Sequence, residues 1–243
     1  MTHSIPKCMV PIDGTPMIDR LVDRLSGAGI SELVVVTGYL DDVLEAHLRQ
    51  SANPLARCAR AVYNTRFMDW GNGFSFLCAR EATAGEPFVK LDTDLLLDDS
   101  VLPAVLGIDA PAVLAVDKRD NLGIEEMKVW MDDAGRIAKV NKTMDPASAA
   151  GECAGIDFFS AEMAGLVFDE LEHMMQAGET NEFYELAYER LMDKGHDFAC
   201  ADITGALWCE IDSHDDLSMA GELCRRQSGD WQVADASTPN AVA

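Results

Sequence analysis

The chain predicts an α/β fold, a mainly parallel mixed sheet flanked by helices with a small antiparallel excursion. Three observations carry this. Segments with helical apolar spacing alternate with short β-branched runs along the chain. Runs such as ELVVVT are apolar on both faces, as strands covered by helices on both sides must be. Between residues 126 and 140 the pattern changes to strict alternation about a tight turn, the mark of an antiparallel hairpin.

The elements follow in order. Residues 15–29 predict a helix: Met17, Ile18, Leu21, Val22 and Leu25 form one apolar stripe, Pro16 suits the first turn and Gly29 the stop. A strand is expected over 32–37, a helix over 41–50, a strand over 60–63 and a helix over 72–81. The segment 88–94, FVKLDTD, reads as a strand ending in two acids. A short helix follows near 100–106, then strands over 111–116, 126–131 and 136–140, with DDAG at 132–135 as the turn. Residues 155–159 predict a strand, 161–175 and 181–194 amphipathic helices, and 208–212 a second acidic strand end. Residues 215–226 predict a last helix. Residues 228–243 carry no periodicity and are expected to be a disordered tail behind a single domain over 1–227.

Composition bounds the partners. The 243 residues suit one large domain, and 48% apolar residues suffice for a sizeable core. With 42 acidic against 19 basic residues the formal net charge is −23, which excludes nucleic acid and anionic membranes as expected partners. A small anionic substrate remains open, because a bound metal ion reverses the local field. No apolar run is long enough to span a membrane. Seven cysteines without a CxxC pair, and a start lacking a long apolar segment, predict a reduced, cytoplasmic protein. The histidines share no spacing with the cysteines, so a zinc site is not expected.

Chemistry is concentrated at the strand ends. On a strand, residues i and i+2 point to one side, so Asp92 and Asp94 are expected to crowd together and to call for a hard divalent cation. WCEID at 208–212 supplies a further ligand, Asp212. The carboxyl end of a strand is also where open α/β sheets bind ligands. An isolated DxD also serves as a turn cap. Asn64, Asn72 and Ser75 flank the turn at 71–73 and are expected to bond a base or acceptor; Asn72 suits the cap of the following helix. Trp70, Phe183, Tyr184 and Trp208 are candidates for a cation–π cage, with Glu182 and Glu185 beside them, although each aromatic alone also suits the core.

Several segments, taken in order, resemble the nucleoside-triphosphate-dependent nucleotidyltransferases of the sugar-phosphate and phosphocholine type. PKCMV…GTP at 6–16 is similar to that family's PKxLxPxxGxPLI, and ELVVVTGY to its strand ending in Gly-Tyr. YNTRFMDWGNGFS at 63–75 resembles the YNP…NNxxSL stretch of the cytidylyltransferase branch, and FVKLDTDLLLD the metal strand. EMKV, Lys142, GECAGI and WCEIDSHDDL continue the match, which runs from residue 5 to residue 220. The resemblance implies a Rossmann-like sheet of the nucleotide-diphospho-sugar transferase type. It implies transfer of CMP from CTP to a small phosphomonoester or phosphonate such as phosphocholine, 2-aminoethylphosphonate or a sugar phosphate, with Mg²⁺ and release of pyrophosphate. It places Asp94 and Asp212 as metal ligands and Lys7 against the triphosphate. Lys128 and Lys142 approach the acceptor phosphate, and Asp92, Asn64, Asn72, Ser75, Trp208 and Tyr184 line the substrates.

One departure stands out. The family's opening strand and glycine-rich loop, LAAGxGxRLxPLT, is represented only by MTHSIPK, which resembles its tail. The expectation is an internal start codon, with that strand and loop encoded ahead of Met1; a degenerate chain without activity is the other reading. A DxD-bearing glycosyltransferase and a non-catalytic binding domain are the remaining alternatives.

Overall fold

The computed structural model describes residues 4–83, 85–120 and 122–227; the segment read as a disordered tail, 228–243, lies outside the described residues. A short 3₁₀ turn over Lys7–Met9 leads into a two-residue hairpin, β1 (Pro11–Ile12) and β2 (Thr15–Pro16), and then helix α1 (Met17–Gly27). Its expected stripe is all buried. There follow β3 (Val34–Thr37), α2 (Asp41–Gln50), the single turn α3 (Pro54–Arg57), β4 (Arg60–Tyr63), α4 (Asn72–Cys78) and α5 (Arg80–Thr83). The helix expected over 72–81 is therefore two pieces that meet at Ala79. Next come β5 (Phe88–Leu91), β6 (Leu95–Leu97), α6 (Val101–Leu106), β7 (Ala112–Asp117), and the hairpin β8 (Lys128–Met131) and β9 (Ile137–Asn141). The chain closes with β10 (Gly151–Phe159), α7 (Ala161–Gln176), α8 (Glu185–Asp193), β11 (Ala199–Asp202), β12 (Trp208–Glu210) and α9 (His214–Gln227).

The sheet is mixed. β10 is its axis, antiparallel to β7 from Glu152 to Phe159, to β5 over Ile156–Phe159 and to β8 at its start. β11 lies parallel to β7, and β3 parallel to β4. β12 pairs antiparallel with β6. Among the described residues β3 pairs only with β4 and β5 only with β10, so each keeps one open edge. One apolar cluster joins α1, α2, α6 and the near faces of β3, β7 and β10. A second packs α7 and α8 on the other side, around Phe159, Phe168, Tyr184 and Tyr188. A third lies under α9 and β12. Cys8, Cys58, Cys78, Cys153, Cys200 and Cys209 carry free thiols, as the sequence predicted.

The acidic strand end is where the structure departs most from expectation. β5 stops at Leu91, and the chain turns through residues 92–94 before resuming as β6. Asp92 and Asp94 therefore do not share one face of a strand. The turn sends them to two different places.

Candidate active site

Asp94 joins a cluster built from both ends of the chain. β6 and β12 pair with Leu95 opposite Glu210, and the Ile211 amide donates to the Asp94 carbonyl at 2.9 Å. This register brings the carboxylates of Asp94, Glu210 and Asp212 together, one oxygen from each lying within 4.8 Å of the others. Asp216 holds the Asp212–Ser213 turn by accepting from both backbone amides, at 3.1 and 2.8 Å. Lys7 reaches the cluster from its 3₁₀ turn, which is anchored by the buried Cys8. Its Nζ lies 2.6 Å from Asp94 Oδ2 and 2.5 Å from Asp212 Oδ1. Burial works against that charge, but the hydrogen bonds to Asp212 and Asp94 prevail and hold the Lys7 ammonium above its ordinary value. Desolvation, and next the charges of Asp94 and Asp212, push Glu210 up to about 7. Oxygen donors of this hardness and spacing fit Mg²⁺, which binds through carboxylates such as these and keeps positions open for water and substrate oxygens.

Asp92 turns the other way, into a buried network. Its Oδ2 accepts from the Tyr184 hydroxyl at 2.7 Å and from Lys90 Nζ at 3.0 Å. Lys90 also pairs with the fully buried Asp157 at 3.5 Å and lies 3.5 Å from the centre of the Tyr184 ring. Asp157 accepts in turn from the Tyr188 hydroxyl at 3.0 Å. Burial opposes the Lys90 charge, but the fields of Asp92, Asp157 and Glu185 overcome it and raise its pKa. Burial pushes Asp157 up to about 6 and Glu185 up to about 8, against the attraction of Lys90. Gly155 adopts φ +70°, and a Cβ there would strike the Asp92 carboxylate, so glycine makes the room that this turn needs.

Three carboxylates and Lys7 thus converge at the β6–β12 end, and comparison with known proteins gives the chain a family. Residues 1–120 match the MobA-like NTP transferase domain. The chain is a member of the nucleotidyltransferase family. It is 21% identical to a choline-phosphate cytidylyltransferase of Streptococcus pneumoniae over 94% of this chain and 93% of that protein. It is 33% identical to a UTP–glucose-1-phosphate uridylyltransferase of Salmonella typhimurium, over 41% of this chain and 40% of that one. Among solved structures, the inositol-1-phosphate CTP transferase from T. maritima superposes with a TM-score of 0.77, at 24% identity, over 92% of this chain and 87% of that one. The CTP:phosphocholine cytidylyltransferase from S. pneumoniae gives a TM-score of 0.74 at 19% identity, over 92% and 91%. The nucleotide-diphospho-sugar transferase fold expected from the resemblance is the fold observed.

The remaining residues of this nucleotidyltransferase are placed as follows. Lys128 is fully buried, and its ammonium donates to the carbonyls of Gly123, Ile124 and Glu126 at 3.4, 3.1 and 2.9 Å. It ties down the loop before β8 with its ammonium spent on that loop's carbonyls, in place of the expected approach to an acceptor. Asn64 is buried too; its amide donates to Ser75 Oγ at 2.9 Å and its oxygen accepts from the Arg66 amide at 2.7 Å. Asn72 does not cap its own helix, where Gly71 stands, but accepts from the Tyr184 amide at the start of α8. Lys142 lies 5.0 Å from the centre of the half-exposed Phe183 ring. Trp208 donates from Nε1 to Asp117 at 3.1 Å. Sequence reasoning missed Glu210 as a member of the carboxylate cluster, although the alternation in WCEID puts Glu210 and Asp212 two apart, and it missed Lys90 altogether.

Proposed function

We propose that the chain transfers CMP from CTP to a small phosphomonoester or phosphonate, releasing pyrophosphate, with Mg²⁺ held by Asp94, Glu210 and Asp212. One observation carries the reading: three carboxylates converge from two strand ends with Lys7 against them. The similarity to two CTP-using proteins over nine tenths of the chain supports the choice of nucleotide.

An oxygen of the acceptor's phosphate or phosphonate attacks the α-phosphorus of CTP. The new P–O bond forms as the bond to the bridging oxygen of the β-phosphate breaks, and pyrophosphate leaves with that electron pair. Such a transfer asks for alignment and relief of negative charge rather than covalent help. The metal ion, when bound, supplies positive charge at the reacting phosphates. Lys7, standing on two of the carboxylates, neutralises the triphosphate and then the leaving pyrophosphate. Lys142, beside Phe183, holds the acceptor phosphate. The Asn64–Ser75 pair shapes the turn on which the nucleotide rests, and Trp208 with Tyr184 and Asp92 bounds the acceptor side.

The deciding experiment is pyrophosphate release by the purified chain with CTP and Mg²⁺, offering phosphocholine, 2-aminoethylphosphonate and a sugar 1-phosphate in turn. Acceptor-dependent release is expected, and its loss on replacing CTP by UTP or ATP supports the cytidine reading. Release without any acceptor, or none with any nucleotide, sinks it.

A further inference from the structure

Tyr184 holds together two segments that lie far apart in the chain. Its amide donates to Asn72 Oδ1 at 3.1 Å, and its hydroxyl donates to Asp92 Oδ2 at 2.7 Å. The side chain is 2% exposed and its ring face carries Lys90 Nζ at 3.5 Å, so a ligand cation there would have to displace a buried lysine. The tyrosine is therefore fixed at both ends and along its ring. The segment leading to it is fixed as well. The Gly71 amide donates to the Thr180 carbonyl at 2.8 Å, and a Cβ at Gly71 would crowd the Asn181 and Glu182 backbone at 3.1 Å.

Asp92 and Asp94 leave one short turn in two directions, so whatever fixes the first bears on the second. The backbone of that turn is tied at its edges. The Asp92 amide donates to the Gly155 carbonyl at 3.0 Å, and the Asp94 carbonyl accepts from the Ile211 amide at 2.9 Å. Between those ties stands the Asp92 side chain, 36% exposed, whose rotation only a side-chain partner can stop. Tyr184 and Lys90 converge on one of its oxygens, Oδ2, at 2.7 and 3.0 Å. Lys90 is held in turn by the buried Asp157 at 3.5 Å, and Asp157 by the Tyr188 hydroxyl at 3.0 Å. The two grips differ in kind. An ammonium shared between carboxylates is a point charge with little direction, whereas a hydroxyl on a rigid ring fixes one oxygen in one place.

We propose that Tyr184 is a positioning residue of the reaction centre: its hydroxyl, by pinning Asp92, fixes the turn that presents Asp94 to the cation. The inference rests on the carboxylate cluster of the reading above. A metal ligand is only as well placed as the groups that orient it, and losing such a group weakens the metal while the fold survives. Tyr184 acts on the cation through Asp92 alone.

The test is Mn²⁺ binding by the full chain, read from the free Mn²⁺ signal in electron paramagnetic resonance, with no nucleotide and no turnover. Mn²⁺ stands in for Mg²⁺ because it takes the same oxygen ligands. Tyr184→Phe removes one hydroxyl and is expected to weaken binding by about tenfold. In an Asp92→Ala chain the same change is expected to move the affinity by less than about twofold, since the hydroxyl then has nothing to hold. A merely structural role would weaken Mn²⁺ binding equally in both backgrounds. Should Tyr184→Phe fail to fold, as judged by circular dichroism, Asp92→Asn against Asp92→Ala reads the same bond. Both remove the charge and only Asp92→Asn keeps an acceptor for the hydroxyl, so it is expected to bind at least about threefold more tightly.

A folded Tyr184→Phe chain that binds Mn²⁺ within about twofold of the unaltered one overturns the proposal. Equal losses in the two backgrounds do the same, as do equal affinities of Asp92→Asn and Asp92→Ala, or no Mn²⁺ bound by the unaltered chain. Acceptor-dependent pyrophosphate release by the unaltered chain in any of these cases leaves the transfer reading standing without this role for Tyr184.

Discussion

The molecule places a lysine among carboxylates twice, on either side of the Asp92–Asp94 turn, with opposite physics. At the surface, Lys7 bridges Asp94 and Asp212, whose side chains are 21% and 67% exposed. Inside, Lys90 sits among Asp92, Asp157 and Glu185 under the Tyr184 ring. In the first cluster water screens the charges, so the ammonium is exchangeable and a divalent cation can take its share of the oxygens. In the second, low dielectric makes the lysine irreplaceable, because its departure leaves buried carboxylates unanswered. The same residue types thus make an exchangeable cluster where they are wet and a fixed network where they are dry. Glu210 and Glu185 mark the two sites: burial pushes both up, joined at Glu210 by the charges of Asp94 and Asp212 and opposed at Glu185 by Lys90.

The contrast can be broken in descending order of effect. Lys90→Met is expected to cost about 3–5 kcal/mol of stability, as breaking a buried ion pair does, measured by urea unfolding at pH 7. A loss under about 1 kcal/mol would show that the buried carboxylates simply take up protons instead. Asp94→Asn is expected to lower kcat/KM by about 100-fold or more while leaving the unfolding midpoint nearly unchanged, since it removes a cation ligand from a wet site. The same variant is expected to abolish any rise in melting temperature on adding Mg²⁺, a readout independent of turnover.

Glu185 gives the third effect, with a definite sign. Its folded value near 8 stands above the ordinary 4.5, so the folded chain holds a proton that the unfolded chain gives up between those limits. Stability from this group is therefore whole below about pH 4.5 and lost as pH rises towards 8. Asp157, raised from 3.8 to about 6, adds a loss of the same sign lower in the range. Glu185→Gln is expected to flatten the fall between pH 5 and 8 by about 1–3 kcal/mol, read from denaturation midpoints across that range. The smallest effect belongs to Lys7→Ala. Its pairs are partly exposed, so stability should change by less than about 1 kcal/mol while acceptor-dependent turnover drops. A large loss of stability there would erase the distinction between the two lysines.

Much of this was legible along the chain. The α1 stripe, α2 over Asp41–Gln50 and β4 over Arg60–Tyr63 were readable because apolar periodicity and end signals are local. The acidic strand ends and the segment carrying Lys7 were readable as motifs for the same reason. β11, with the sequence ACAD, has no apolar run to announce it; its parallel register on β7 makes it a strand. Helix α8 starts later than its periodicity suggests, at a point where Asn72 from a distant turn accepts the Tyr184 amide.

By itself the sequence determined the α/β class, the order of most elements and the acidic residues at the strand ends, all properties of spacing within short windows. The tertiary structure decided which carboxylate goes where. Because β5 ends one residue before the first acid, Asp94 meets Glu210, Asp212 and Lys7 across the β6–β12 pair. Asp92 turns instead under Tyr184, into the space left by Gly155. The buried ends of Lys90 and Lys128 were equally undecidable, since a lysine's partners lie wherever the fold brings unpaired oxygens. Charge pairing in a folded chain is non-local, and its strength depends on the water excluded around it.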